Sequence, residues 1–310
     1  MRGGCHSSGG GHGWVAVCLL LSCGCVNHFV GHPRTAPASV QTWNEDVVRG
    51  ALRIHLEWAA PSGSGPQAAV LVHPEAGSTA RDMRGVIWDL AAHGYVAVAA
   101  DYQRLIGGRY RRTLFPWREP DDEVAAVAVV RQNPRVDTSR VGLVGFSQGG
   151  VFSLCIAARD PTVRAVVAYY PVTDFPSWLE DPDYGPARRF LFWFIKRHFR
   201  RQSGATSDEE FDRMLERASP LRRVRSITTP VLLVHGANDR TAPVGQSRRL
   251  AQALTAMNRD AALLEIEDAG HVFNFYDKRA AEARKAWQAS LDFLGRHLRP
   301  RAELNGQRRR

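Results

Sequence analysis

A chain of 310 residues with 44% hydrophobic content carries enough apolar mass for one sizeable core, and its length does not require a second catalytic domain. The formal charge is +10, yet arginine outnumbers lysine 38 to 3 and no recognition-helix pattern accompanies the charge, so nucleic acid is not an expected partner. The basic residues gather at 188–201, 217–225 and 299–310, and the tail 299–310 is expected to be disordered.

In chain order, residues 1–25 read as an export leader outside the fold. Arg2 supplies a positive start, 14–21 an apolar run, and Ser22-Cys23-Gly24-Cys25 a small-residue end. The apolar run is too short to span a bilayer. Leu20-Leu21-Ser22-Cys23 resembles a bacterial lipobox, in which the cysteine is acylated and becomes the new N-terminus. Cys23 is the expected lipidation site and Cys25 the alternative; a simply cleaved leader is the plainer reading. The protein is thus expected to be exported and held at a bacterial membrane by a lipid, or otherwise periplasmic or secreted. Cys5, Cys18, Cys23 and Cys25 all fall in the leader, which leaves Cys155 to act as a small buried hydrophobe.

Residues 26–46, with Pro33, Pro37 and several small side chains, read as a tether. From 47 to 298 the chain alternates short apolar or β-branched runs with amphipathic stretches. The runs at 69–73, 95–100, 141–146, 163–170, 231–235 and 262–266 predict buried strands; 79–92, 121–132, 148–159, 245–257 and 278–298 predict helices. This alternation implies an α/β domain whose mostly parallel sheet has helices on both faces. Residues 172–228 are too long for a simple crossover and should fold as a helical cap insertion, with Ser207 before Asp208, Glu209 and Glu210 marking a capped helix start. Within it, 188–201 combines an apolar aromatic run with basic flanks. That segment is read as a helix packed on the core, ahead of one that covers an acyl pocket or touches a membrane surface.

The strongest chemical signal is Gly145-Phe146-Ser147-Gln148-Gly149, placed where a predicted strand gives way to a predicted helix. A serine on so tight a turn needs neighbours without side chains two residues to either side, so that strand and helix approach while the hydroxyl projects. A serine hydroxyl is a poor nucleophile without a base, so the motif calls for a histidine and an orienting carboxylate further on. Asp239 follows the strand at 231–235, and His271 sits between the strand at 262–266 and the last helix. The order Ser147, Asp239, His271 is that of the α/β-hydrolase fold. Asp174, after the preceding strand, is a rival acid. An oxyanion hole would draw one N–H from Gln148 and a second from the loop after residue 73; Pro74 cannot donate, which leaves Glu75 or Ala76, with Ala76 favoured as the deeper in the turn. No paired spacing of histidine and acid suggests a metal, and no cofactor is expected.

The segment 145–150, the block 229–243 and Gly270-His-Val-Phe-Asn-Phe-Tyr276 resemble the dienelactone hydrolase family over roughly residues 48–298. The resemblance implies a cofactor-free hydrolase of esters or lactones and a small-molecule substrate. The founding enzymes of that family use a cysteine where this chain has Ser147, and Glu75 resembles the family glutamate that contacts the resting thiol. Ser219-Pro220, Val224, Ile227 and the Asp239 block are also similar to the catalytic domain of prolyl-oligopeptidase-type peptidases, which implies peptide or aminoacyl-amide cleavage as the alternative. A non-catalytic surface lipoprotein that keeps the fold is the reading from another class. Arg104, Arg109, Arg111 and Arg112 receive an anionic substrate or face solvent, and the sequence does not choose.

Overall fold

A computed structural model describes residues 31–63, 65–112, 122–182, 184–275 and 279–299. The leader with Cys23, all but the first residue of the basic tail, and the helix starts expected at 121 and 278 lie outside the described residues.

Among the described residues nine strands form one sheet: β1 (Val40–Arg49), β2 (Leu52–Pro61), β3 (Gln67–His73), β4 (Val96–Ile106), β5 (Arg109–Arg112), β6 (Val136–Phe146), β7 (Ala165–Tyr169), β8 (Val231–Gly236) and β9 (Ala261–Ile266). Their order is β1-β2-β4-β3-β6-β7-β8-β9, with β5 folded back on β4. The β1–β2, β2–β4 and β4–β5 pairs are antiparallel, and the run from β4 through β3, β6, β7 and β8 to β9 is parallel. The α-helices are α1 (Arg84–Ala92), α2 (Asp122–Gln132), α3 (Gln148–Ala157), α4 (Phe175–Leu179), α5 (Pro186–Ser203), α6 (Asp208–Ala218), α7 (Gly245–Ala256) and α8 (Ala280–Leu298).

Both faces of the central strands are buried, as a parallel sheet requires. Val70 and Val72 of β3, Val144 and Phe146 of β6 and Val167 and Tyr169 of β7 pack with Val86, Ile87 and Leu90 of α1 and with Phe293, Leu294 and Leu298 of α8. The alternate residues Ala69 and Leu71, Leu143, and Val166 and Ala168 pack on the other face with Val127 and Val130 of α2, Leu154 and Ile156 of α3, and Leu250 and Leu254 of α7. Deleting a buried leucine side chain from either layer costs about 2–5 kcal/mol.

Two stretches depart from the sequence reading. The segment 26–46 is not a tether throughout: β1 starts at Val40 and pairs residue by residue with β2 as far as Arg49. Its mainly exposed polar residues gave it no apolar period, and pairing to a buried neighbour supplies the order instead. The helix expected over 79–92 begins with a 3₁₀ turn, Ala80–Met83, and becomes α-helical only at Arg84. Thr79 and Asp82 cap that turn reciprocally.

Between β7 and β8 lie α4, α5, α6 and a 3₁₀ segment, Pro220–Ser226. Ser207 caps α6 by accepting from the Glu210 N–H at 3.2 Å, and three acidic residues occupy the first turn, where the helix dipole favours them. These helices share an apolar cluster with α3: Val151 and Cys155 meet Phe175, Trp178, Phe192, Ile195, Phe199, Phe211 and Leu215. Cys155 is a buried free thiol that donates to the Ala218 carbonyl at 3.6 Å.

Candidate active site

β6 runs directly into α3, and Ser147 is the hinge between them at φ 50°, ψ −112°. A non-glycine residue there is strained by about 1–3 kcal/mol, and such strain persists only where surrounding structure fixes it. Two close approaches do so. A Cβ on Gly145 would lie 2.1 Å from the Gly149 carbonyl oxygen, and a Cβ on Gly149 would lie 2.2 Å from the His73 carbonyl oxygen. Only glycine permits both contacts, and together they set the turn after β3 against the first turn of α3. The Ser147 N–H donates to the Tyr169 carbonyl at 2.8 Å, tying the hinge to β7.

Asp239 follows β8, and His271 lies in the loop between β9 and α8. The fold brings both to Ser147. The serine hydroxyl donates to His271 Nε2 at 3.0 Å, and His271 Nδ1–H donates to Asp239 Oδ2 at 2.6 Å. The other carboxylate oxygen, Oδ1, accepts from the Thr241 and Ala242 N–H groups at 2.8 and 2.9 Å. Burial opposes ionisation of Asp239, but the charge of His271 and hydrogen bonds from His235 and His271 hold it well below the usual carboxylate range. Burial likewise opposes protonation of His271, while Asp239 and, more weakly, Glu75 outweigh it and raise the imidazole above its ordinary value. A hydroxyl, an imidazole and a carboxylate bonded in that order can move a proton from oxygen to nitrogen and stabilise the imidazolium that results.

Asp174 is committed elsewhere. Its carboxylate accepts from Arg222 Nε at 2.9 Å and its backbone N–H donates to Gln246 Oε1 at 2.8 Å, so it fastens the cap to α7. Gln148 is the first residue of α3, where a helix N–H has no partner within the helix. Glu75 and Ala76 occupy the turn 74–78 that Gly149 approaches. The Glu75 carboxyl is pushed up to about 7 by burial, despite the pull of His271 and a hydrogen bond from Ser78. Of the arginines near β4 and β5, Arg104 stands opposite Arg111 in a β-hairpin, and Gln103 opposite Arg112.

Several neighbours carried no sequence signal. His235, at the end of β8, points Nε2 at both the Ala242 carbonyl, 2.7 Å away, and Asp239 Oδ2, 3.2 Å away, while its Nδ1 meets Ser247 Oγ at 2.7 Å. Tyr170 lays its ring 4.7 Å from that of His271 and donates to Asn274 Oδ1 at 2.7 Å. Tyr170 and Val272 have φ of 39° and 51°, so strained backbone recurs on either side of the imidazole. His73, below the turn, is bonded to Ser153 and Tyr102 and is pushed down to about 3 by burial, which keeps it neutral. Among the described residues no group of three or more His, Cys, Asp or Glu side chains could hold a metal ion.

A mostly parallel sheet flanked by helices, with a strained serine at a central strand-to-helix turn and its partners after later strands, defines the α/β-hydrolase fold. The profile of the dienelactone hydrolase family matches residues 56–298, and the chain belongs to that family of hydrolases. It is 25% identical over 288 aligned residues to a protein of Escherichia coli (strain K12) named "Putative carboxymethylenebutenolidase", covering 84% of this chain and 91% of the relative. It is 24% identical over 181 residues to an uncharacterized peptidase of Bacillus subtilis (strain 168); that match takes in 58% of this chain but spans only 25% of the peptidase's length. Among solved structures, acetyl xylan esterase 1 from a Thermoanaerobacterium species superposes with a TM-score of 0.60 at 22% identity, over 86% of each chain, a likeness of fold.

Proposed function

We propose that this protein is a serine hydrolase that cleaves a carboxylic ester or lactone through an acyl-enzyme, with Ser147 as nucleophile. The observation that carries the reading is the unbroken hydrogen-bonded chain from Ser147 Oγ through His271 to Asp239, beginning at a serine in strained backbone. As Oγ attacks the carbonyl carbon, His271 Nε2 takes its proton and Asp239 holds the imidazole by Nδ1–H. The Gln148 N–H, with that of Ala76 or Glu75, receives the developing oxyanion; one such donor is worth about 10²–10³ in rate. The leaving alcohol takes the proton from Nε2, water repeats the attack on the acyl-serine, and the carboxylic acid departs.

Labelling residues 26–310 with a fluorophosphonate, followed by peptide mass spectrometry, tests the proposal, with Ser147→Ala as control. An adduct on Ser147 alone is the expected result. A folded protein that takes up no label would instead be a binding module on the same fold. The match to the Bacillus peptidase favours peptide cleavage as the second reading, for which aminoacyl amides are simple test substrates. Comparing ester, lactone and aminoacyl-amide turnover by the labelled preparation's unlabelled twin decides between them.

The leader carries a separate proposal, that the protein is exported and lipid-anchored through Cys23. Incorporation of labelled palmitate, lost in Cys23→Ser, is the expected result; retention in that variant would point to Cys25.

A further inference from the structure

Helix α5 presents two apolar faces, and only one is packed. Phe192, Ile195 and Phe199 are buried in the cap cluster with Trp178 and Phe211. On the outward face Phe190, Trp193 and Phe194 are 63%, 53% and 47% exposed. Their rings touch one another, with centroids 4.9 Å apart for Phe190–Phe194 and Trp193–Phe194 and 6.2 Å for Phe190–Trp193, so they form one continuous patch. Monomeric proteins seldom leave three contiguous large aromatics in water without a partner for them.

The charges around the patch say what that partner is. Arg189, Arg197 and Arg201 are exposed on the same side of α5, and the Arg197 guanidinium lies 5.8 Å from the Trp193 ring centroid. The helix contains no acidic residue. Lys196 and Arg200 are engaged by Glu180 and Asp208, at 2.5 and 3.1 Å; among the described residues no carboxylate pairs with Arg189, Arg197 or Arg201, although Arg189 donates to the Pro182 carbonyl at 2.7 Å. Tryptophan and phenylalanine interleaved with unneutralised arginines on an exposed helix face match the boundary between acyl chains and anionic headgroups.

We infer that the outward face of α5 is a docking surface for an anionic phospholipid membrane, with Phe190, Trp193 and Phe194 entering the interface and Arg189, Arg197 and Arg201 meeting its phosphates. The inference is independent of the chemistry at Ser147. Docking would set the site close to the lipid: the cap carrying α5 rests on the loop that bears Asp239, through Arg188, which donates to the Arg240 carbonyl, and Trp178, which donates to that of Thr241 at 2.8 Å.

Sedimentation of the full chain with vesicles tests it, using phosphatidylcholine alone and phosphatidylcholine with about one-third phosphatidylglycerol. The expected result is partitioning onto the anionic vesicles that falls at least about tenfold in F190S/W193S/F194S. R189Q/R197Q/R201Q should lose at least about tenfold on anionic vesicles and little on neutral ones. All six positions are exposed, so the variants fold, which circular dichroism checks. Any contribution from the leader is the same in every variant. Equal binding by the aromatic variant and the wild type would overturn the inference. So would a dimer in solution that the same substitutions dissolve, which would assign the patch to a second copy of the chain.

Discussion

His235 Nε2 lies 3.2 Å from Asp239 Oδ2, the oxygen that also accepts from His271, so one carboxylate oxygen is held by two imidazoles. His235 is fully buried and reaches the site through Asp239, which makes it a positioning residue. Replacing it by glutamine should lower kcat about tenfold, the equivalent of the ~1.5 kcal/mol that a hydrogen bond to a charged group contributes. Without that donor the Asp239 carboxylate becomes more basic and holds the His271 proton more tightly, so the acidic limb of the rate profile should move to higher pH. A drop in kcat with no movement of that limb would reduce His235 to a packing role.

His271 must be neutral to take a proton, so hydrolysis should fall away on the acid side of its raised value, above the ordinary 6.5 of an imidazole. Glu75, when ionised, favours the imidazolium. In Glu75→Gln the acidic limb of kcat/KM should shift down in pH, and an unshifted limb would rule out that coupling.

Glu75 also links pH to stability, with a sign opposite to most carboxylates. Its folded value is about 7, above that of an unfolded glutamate at 4.5, so between those values the folded chain binds more protons. Its contribution is therefore fully present below about pH 4.5 and is lost as pH rises through about 7. Glu75→Gln should melt higher than wild type at alkaline pH and lose that advantage in mild acid. Parallel melting curves across the range check this.

Ser147 holds its hydroxyl against His271 at a cost in backbone strain. Glycine adopts φ 50° freely, so Ser147→Gly should abolish hydrolysis yet stabilise the fold by up to about 1 kcal/mol, read as a higher Tm. A lower Tm would show that the hydroxyl's bond to His271 outweighs the strain.

The two candidate acids separate cleanly. Asp239→Asn should cost about 10⁴-fold in kcat, because the amide holds the wrong imidazole tautomer. Asp174→Asn breaks the pair with Arg222 and should cost a few-fold at most. Ester turnover by the two purified variants decides it; equal losses would mean that the cap's seating matters as much as the imidazole's.

The central sheet was legible because its strands are buried on both faces and read as short apolar runs: 141–146 falls inside β6, and 231–235 and 262–266 lie within one residue of β8 and β9. The edge was less so. β2 alternates over its first half, with Leu52, Ile54 and Leu56 buried against the less buried Arg53 and His55, but β1 is polar along most of its length and owes its order to that neighbour. At the site, Ser147, Asp239 and His271 were legible because turn chemistry and chain order constrain them. His235 and Tyr170 were not, since a histidine ending a buried strand and a tyrosine following one read as core until the fold shows what they face. The exposed side of α5 was hidden for a related reason: composition gives an aromatic run, and only packing shows which rings the cap has left outside.

Ser147 and His271 stand 124 positions apart in the chain yet 3.0 Å apart in space. On the proposed mechanism the nucleophile is therefore synthesised before its base, and a chain that ends ahead of residue 271 carries the serine without the imidazole that would take its proton. Reactivity arrives with the last loop before α8, after the sheet that seats it is complete. On that reading a product cut short ahead of the loop holds a serine with no base to activate it.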